Sequence, residues 1–347
     1  MKTAVVLFNL GGPDSLPAVQ PFLFNLFNDK AIIGLPRPLR TLAARLISRR
    51  RAPVAREIYA KIGGRSPLLE YTRRQADALE RRLRERRGDV RVFVCMRYWH
   101  PMSDALACQV KAFAPDRIVL LPLYPQYSTT TTASSLADWR KAARGAALAA
   151  PEHVVCCYPN NRGFIEAVAR QVRRTLETDP IGPYRLLFSA HGLPQRVIAR
   201  GDPYQWQVEL TVAAIVEALG AVARDHVICY QSRVGPLKWI GPSIEAELGR
   251  AARDRVGVMV VPVAFVSEHS ETLVELDIEY RNRAAELGVP AYLRVPTVAA
   301  DEAFVGGLAT LVEDALSGSG EASPQSGPRL CPPSFAGCAC RSTESAG

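Results

Sequence analysis

Long hydrophobic runs are missing from this 347-residue chain: no window approaches 18 consecutive apolar residues, so no membrane-spanning segment is expected. The start, MKTAVVLFNLGGP, enters a short apolar run and then a Gly-Gly-Pro turn, without the cleavage pattern of a secretory leader. A cytoplasmic chain is expected, with its eight cysteines reduced or metal-bound rather than paired in disulfides. Nucleotide and hydrolase signatures are missing too. There is no GxGxxG opening a helix, no GxxxxGK followed by Ser or Thr, no GxSxG and no HExxH. Dinucleotide, P-loop, hydrolase-elbow and zincin chemistry therefore have no support. Zinc-finger, basic-zipper and RNA-binding aromatic patterns are absent, so nucleic acid is a weak option despite a net charge of +9. That charge favours an anionic partner, such as an acidic small molecule or an anionic lipid surface.

What is present is an alternation of short β-branched runs with longer helical patterns, the mark of an α/β fold with parallel sheets. The strands are expected at Ala4–Leu10, Arg91–Met96, Arg117–Leu123, His153–Tyr158, Arg185–Ser189, Val227–Gln231, Gly257–Ala264 and Ala291–Arg294. The length favours two domains. LFNLGGP at Leu7–Pro13 echoes LFSAHGLP at Leu187–Pro194, and IVLLPLYPQYS at Ile118–Ser128 echoes VMVVPVAFVSEHS at Val258–Ser270. Matches in the same order suggest one duplicated unit, the first copy carrying about forty extra residues around Val19–Pro67. We expect a domain at 1–150 completed by a helix at 301–316, a second at 151–300, and a linker and tail at 317–347. Ligands of open parallel sheets bind outside the carboxyl ends of the strands.

One stretch that this edge collects is FVSEHSETLVELDIEY at Phe265–Tyr280. Glu268, Glu271, Glu275 and Glu279 recur at helical spacing, which predicts four carboxylates on one face with no Lys or Arg before Arg281. Such a column is either a solvated face or a carboxylate ladder that attracts a cation and carries protons, with His269 as an added nitrogen. His191, at the end of a predicted strand, sits at the same edge. Arg97, Tyr98, Tyr124, Tyr127 and Thr129–Thr132 add polar and aromatic lining. The inserted segment packs Phe22, Leu23, Phe24, Leu26, Phe27, Ile32, Ile33 and Leu35 before a series of arginines. It reads as a buried helix, an apolar flap over a flat ligand, or a contact with lipid aided by Arg49–Arg51. In the tail, Cys331, Cys338 and Cys340 read as metal ligands, for zinc or for an iron–sulfur group, with Cys156 and Cys157 as candidates for the fourth. Incidental thiols on a loose tail are the alternative.

Taken together, LFNLGGP, YAKIGGRSPLLEYT, MRYWHP, PLYPQYSTTTT, FSAHGLPQRVIARGDPY, YQSRVGPLKWIGP and the Phe265–Tyr280 run resemble the ferrochelatase family, in its order and from about residue 4 to 316. The resemblance implies two similar Rossmann-like, chelatase-type α/β domains with parallel four-stranded sheets, and insertion of ferrous iron into protoporphyrin IX as the last step of haem synthesis. It implies catalytic roles for His191, Glu271, Glu275, Glu279 and His269, with His191 and Glu271 as metal contacts. Arg97, Tyr98, Ile33, Lys61, Tyr127 and Trp239 fall on or near the porphyrin-binding positions. Lys61 stands where some relatives have arginine, and Leu10 where coproporphyrin-using relatives have tyrosine, which favours protoporphyrin. The resemblance also implies a porphyrin cleft closed by the Phe22–Arg40 lip and peripheral association with the inner face of a membrane; the oligomeric state, with a homodimer as one option, is left open by the sequence. Some relatives bind a 2Fe–2S cluster through three tail cysteines and one internal cysteine. Here that implies Cys331, Cys338, Cys340 and Cys157, with Cys156 the alternative; animal relatives place theirs near Ala167. The rivals are a coproporphyrin or other metal chelatase of the same fold, and a porphyrin or haem carrier without turnover.

Overall fold

The computed structural model describes residues 1–179, 182–233, 237–318, 322–323 and 329–340. The chain divides into two compact units. One comprises Met1–Tyr158, Leu308–Pro333 and the segment from Cys338; the other comprises Pro159–Gly307 with Ser334–Gly337.

The first unit is built on a parallel sheet of β1 (Thr3–Asn9), β2 (Val90–Met96), β3 (Arg117–Pro122) and β4 (Glu152–Val155), in the order β2-β1-β3-β4. All seven residues of β1 are buried, as expected for a central strand covered on both faces. A two-residue β9 (Ala322–Ser323) adds to the free edge of β4, a pairing that the Ser/Gly-rich sequence did not suggest. The rest of that expected linker, 319–321 and 324–328, lies outside the described residues, as do 341–347. Helices α1 (Val19–Phe27), α2 (Arg37–Ala60), α3 (Leu68–Arg87), α4 (Ser103–Phe113) and α5 (Thr132–Gly145) belong to this unit. The insertion is thus α1 and α2, and it is both buried and exposed. Val19, Phe22 and Leu23 of α1 pack with Ala52 and Tyr59 of α2 and with Tyr98. On the side of α2 away from its buried Ala44, Ser48 and Ala52, the side chains of Leu39, Leu42 and Leu46 are 56–59% exposed.

The second unit repeats the plan. Helix α6 (Arg162–Thr178) precedes a parallel sheet of β5 (Tyr184–His191), β6 (His226–Gln231), β7 (Gly257–Pro262) and β8 (Tyr292–Arg294), in the order β6-β5-β7-β8. Each expected strand is present, and the strands carrying the echoed motifs, β1 with β5 and β3 with β7, occupy equivalent places. Helices α7 (Gln195–Ile198), α8 (Tyr204–Leu219), α9 (Ile244–Asp254) and α10 (Arg281–Leu287) follow, and α11 (Glu302–Ser317) runs on into the first unit. Asn161 caps α6 by accepting a hydrogen bond from the Phe164 N–H at 3.1 Å. The segment Tyr204–Ala223 is long and apolar enough to cross a membrane by length and composition alone, but Val208, Val212, Ile215 and Leu219 are core residues.

Between β7 and α10 the chain forms a π-helix, Glu271–Tyr280, where the sequence spacing had suggested an α-helix. The order β6-β5-β7 places a topological switch between β5 and β7, and the crevice outside such a switch is where open α/β sheets hold ligands. His191 ends β5, Gln231 ends β6, and the loop after β7 leads into the π-helix.

Candidate active site

His191 Nδ1 lies 2.9 Å from Glu271 Oε2, and the two side chains are 37% and 28% exposed. With the hydrogen on Nδ1, the lone pair of Nε2 is left as a base or a metal ligand. Burial disfavours the charged ring, but the Glu271 carboxylate outweighs it and raises the His191 pKa above its ordinary value. Burial likewise works against ionised Glu271, and the neighbouring His191 and His269 reverse the sign and hold it well below the usual carboxylate range. His269 Nε2 is 3.7 Å from the same oxygen, while its Nδ1 faces the Ser267 carbonyl at 3.1 Å.

Glu275, one step along the π-helix, has a different environment. Its Oε2 accepts from Gln231 Nε2 at 3.0 Å and from Ser232 Oγ at 2.5 Å, and its Oε1 accepts from the Ser232 N–H at 2.8 Å. Ser232 directs both donors at one carboxylate from a left-handed backbone, φ +61°, a strained conformation for a serine. Burial and the adjacent Glu271 charge nevertheless raise the Glu275 pKa. Two carboxylates thus share one helix with pKa values pushed apart.

Gln231 joins these parts. Its Oε1 accepts from Ser189 Oγ at 2.8 Å, and its Nε2 donates to the Glu271 carbonyl at 3.1 Å as well as to Glu275. Beside it, Gly192 is required by close approach. A Cβ there would meet the Gln231 carbonyl at 2.9 Å and the Trp239 ring at 3.4 Å. Trp239 therefore packs on the residue after His191, and its buried Nε1 has no hydrogen-bond partner among the described residues.

The four glutamates do not share one face. Glu268 precedes the π-helix and is buried, with Oε1 bound by Arg294 Nη1 at 2.7 Å and by the Thr297 N–H at 2.9 Å. Arg294 also donates from Nε to Asp277 Oδ1 at 2.8 Å. The cation that the sequence did not supply nearby comes from β8, and it lowers the Glu268 pKa against the effect of burial. Glu279 is exposed.

In the first unit, Arg97 and Tyr98 converge on Asp29. Arg97 Nη2 donates to Asp29 Oδ2 at 2.9 Å, Tyr98 Oη donates to it at 2.8 Å, and Ser134 Oγ shares the same oxygen in a short contact. The Ala31 N–H donates to Oδ1 at 2.9 Å, so this carboxylate anchors the turn that leads to half-buried Ile33. Burial opposes its charge, but these donors lower its pKa. Sequence reasoning missed Asp29, although one acid directly after a run of phenylalanines and leucines was a usable signal. Tyr98 itself is only 1% exposed. Lys61 is exposed at the end of α2.

Tyr127 packs with a group of thiols instead. Cys156 Sγ lies 3.4 Å from Cys157 Sγ and 3.3 Å from Cys340 Sγ. Hydrogen bonds from Cys331 and Cys340 push the Cys338 thiol well below its ordinary pKa. The side chains give five sulfur donors, more than the four a 2Fe–2S cluster or structural zinc requires. Among the described residues no three His, Cys, Asp or Glu side chains have the arrangement that holds a single metal ion. Thiols in hydrogen-bond contact are closer than two sulfurs on one tetrahedral zinc, which lie about 3.8 Å apart at ordinary Zn–S lengths. The five sulfurs supply thiolate-type donors, without the spacing of an assembled metal site among the described residues.

Comparisons with known proteins agree in one direction. A family model described as ferrochelatase matches residues 2–316. The chain is 55% identical to a ferrochelatase of Phenylobacterium zucineum, over 98% of both chains, and 52% identical to one of Caulobacter vibrioides, over 99% of both. A solved structure of the sirohydrochlorin chelatase SirB from Bacillus subtilis subspecies spizizenii, in complex with cobalt, matches with a TM-score of 0.52. It covers 91% of this chain and 96% of its own at 12% identity, a likeness of fold alone.

Titration of His191 followed by NMR checks the central pair. Its midpoint is expected above the ordinary histidine value of about 6.5. In Glu271→Gln the midpoint should fall, because burial remains and the carboxylate that favours the imidazolium is gone. An unchanged midpoint in that variant would contradict the pairing.

Proposed function

The chain belongs to the ferrochelatase family, an enzyme family of haem synthesis that inserts iron into a porphyrin, and we propose that its porphyrin is protoporphyrin IX and its chemical centre the His191–Glu271 pair. The 2.9 Å contact between these two side chains is the observation that carries the reading. A planar porphyrin turns its nitrogen lone pairs inward and carries two N–H protons, so metal insertion needs a bent ring, a base and a route for protons. Binding that is tighter to the bent ring than to the flat one lowers the barrier. In this assignment His191 Nε2 takes a pyrrole proton, and ionised Glu271 stabilises the imidazolium that forms. Glu271 also offers a hard oxygen to ferrous iron, the substrate metal, with His269 beside it. Glu275, whose raised pKa suits a proton carrier, receives protons from this pair.

We assign Trp239 to the wall beside His191, and Ile33, Lys61, Arg97 and Tyr127 to porphyrin binding. Tyr98 contributes through Asp29, where its hydroxyl is already engaged. Leu10 in place of a tyrosine favours protoporphyrin over coproporphyrin. The exposed Leu39, Leu42 and Leu46, with Arg49 and Arg50 close by on α2, support peripheral contact with an anionic membrane surface from the cytoplasm. For the thiols we propose a 2Fe–2S cluster on Cys331, Cys338, Cys340 and Cys157, with Cys156, 3.3 Å from Cys340, the alternative fourth ligand. When bound, such a cluster supplies redox-active iron.

Anaerobic incubation with Fe²⁺ and protoporphyrin IX is expected to give catalytic haem formation, faster than with coproporphyrin, and Glu271→Ala should lower turnover by at least about 100-fold. Porphyrin binding without turnover in the wild type would favour a carrier instead. Protein purified without oxygen should be brown. Cys157→Ser should lose the visible absorption and Cys156→Ser should keep it; the reverse pattern would exchange the two assignments. Sedimentation with phosphatidylglycerol vesicles should recover the protein in a salt-sensitive way, and Leu39→Ser with Leu42→Ser should reduce recovery. Equal recovery of both proteins would remove α2 as the docking face.

A further inference from the structure

Metal insertion releases two protons for each iron, and they must leave a partly enclosed site. Glu275 reaches solvent by a route that the glutamate spacing does not suggest. Tyr280 Oη lies 3.3 Å from Glu275 Oε1 and 3.0 Å from Glu245 Oε1. Tyr280 is the last residue of the π-helix and is 8% exposed, whereas Glu245 is exposed in the first turn of α9. One hydroxyl therefore bridges an inner carboxylate and an outer one. Glu279 lies exposed four residues beyond Glu275 and, among the described residues, makes no hydrogen bond to it.

A phenol has one proton and two acceptor lone pairs, so it cannot donate to both carboxylates at once. The three-oxygen chain is satisfied when a second proton sits at one end. If that proton is on Glu275, Glu275 donates to Tyr280 Oη and Tyr280 donates to Glu245. We propose that Tyr280 passes protons from Glu275 to Glu245, and so to solvent, during metal insertion. The O–H bond of protonated Glu275 breaks as a new one forms on Tyr280 Oη. The original phenolic proton moves to Glu245 Oε1, Glu245 releases it to water, and rotation of the hydroxyl restores the start. No electrons move, and water is the final acceptor. Burial, with Glu275 and Glu245 on either side, raises the Tyr280 pKa, so the ring relays as a neutral phenol and does not accumulate as phenolate. The charged and titratable groups facing the inner end are Glu271 and His191, which supply the protons in the reading above, on which this inference rests.

Tyr280→Phe keeps the ring and removes only the relay atom. Its kcat for iron insertion is expected to fall about 10-fold or more, with KM for porphyrin and Tm unchanged and a larger solvent deuterium isotope effect on kcat. Glu245→Gln should reproduce both effects, and the double variant should be no slower than either single one. An unchanged kcat and isotope effect in Tyr280→Phe would overturn the relay, as would a slow Tyr280→Phe beside a silent Glu245→Gln. Glu271→Ala in the same assay separates the two levels. If it is inactive while Tyr280→Phe is normal, only the relay fails; if it is fully active, the metal-insertion centre itself is misassigned.

Discussion

A single hydrogen bond, from His191 at the end of β5 to Glu271 at the start of the π-helix, joins residues 80 positions apart and fixes the geometry of the second unit's ligand edge. An ionised carboxylate in a partly enclosed place persists only if donors surround it. Glu271 has His191 and, at longer range, His269. The neighbouring parts of the unit hold that arrangement in register. Gln231 fastens β5 through Ser189 and the π-helix through the Glu271 carbonyl, and the missing side chain at Gly192 lets Trp239 pack beside the histidine.

The same helix supports two opposite electrostatic environments. Glu271 faces imidazole nitrogens and stays ionised, whereas Glu275 faces mainly neutral donors and the charge of Glu271, which raises its pKa. Separating two carboxylates in this way gives one a lasting charge for a cation and the other the ability to carry protons. Arg294 keeps Glu268 and Asp277 out of this balance by pairing with both from β8. A stretch that looks uniformly acidic in sequence is therefore three separate sites in space.

Much of the fold was legible because strands buried on both faces read as short β-branched runs, and every expected strand appears within a few residues. The paired motifs also foretold which strands hold equivalent places. Local spacing could not reveal contacts made across the chain. Glu268 looked like part of the column because its partner Arg294 is 26 positions away. Glu245 carried no signal at all, since its contact with Tyr280 spans 35 positions. Helical spacing alone does not separate an α-helix from a π-helix, so the turn that sets Glu271 and Glu275 apart was also hidden. The thiols were legible as a set, but which of the adjacent Cys156 and Cys157 faces the tail is a matter of strand-end geometry.

The most direct measurement is a single-turnover, anaerobic stopped-flow experiment that follows porphyrin absorbance and a pH indicator together, in wild type and in His191→Ala. If His191 and Glu271 form the centre, the wild type releases two protons per iron in step with haem formation. His191→Ala should still bind porphyrin but show neither signal. Metal insertion and proton release at the wild-type rate in His191→Ala would contradict the account.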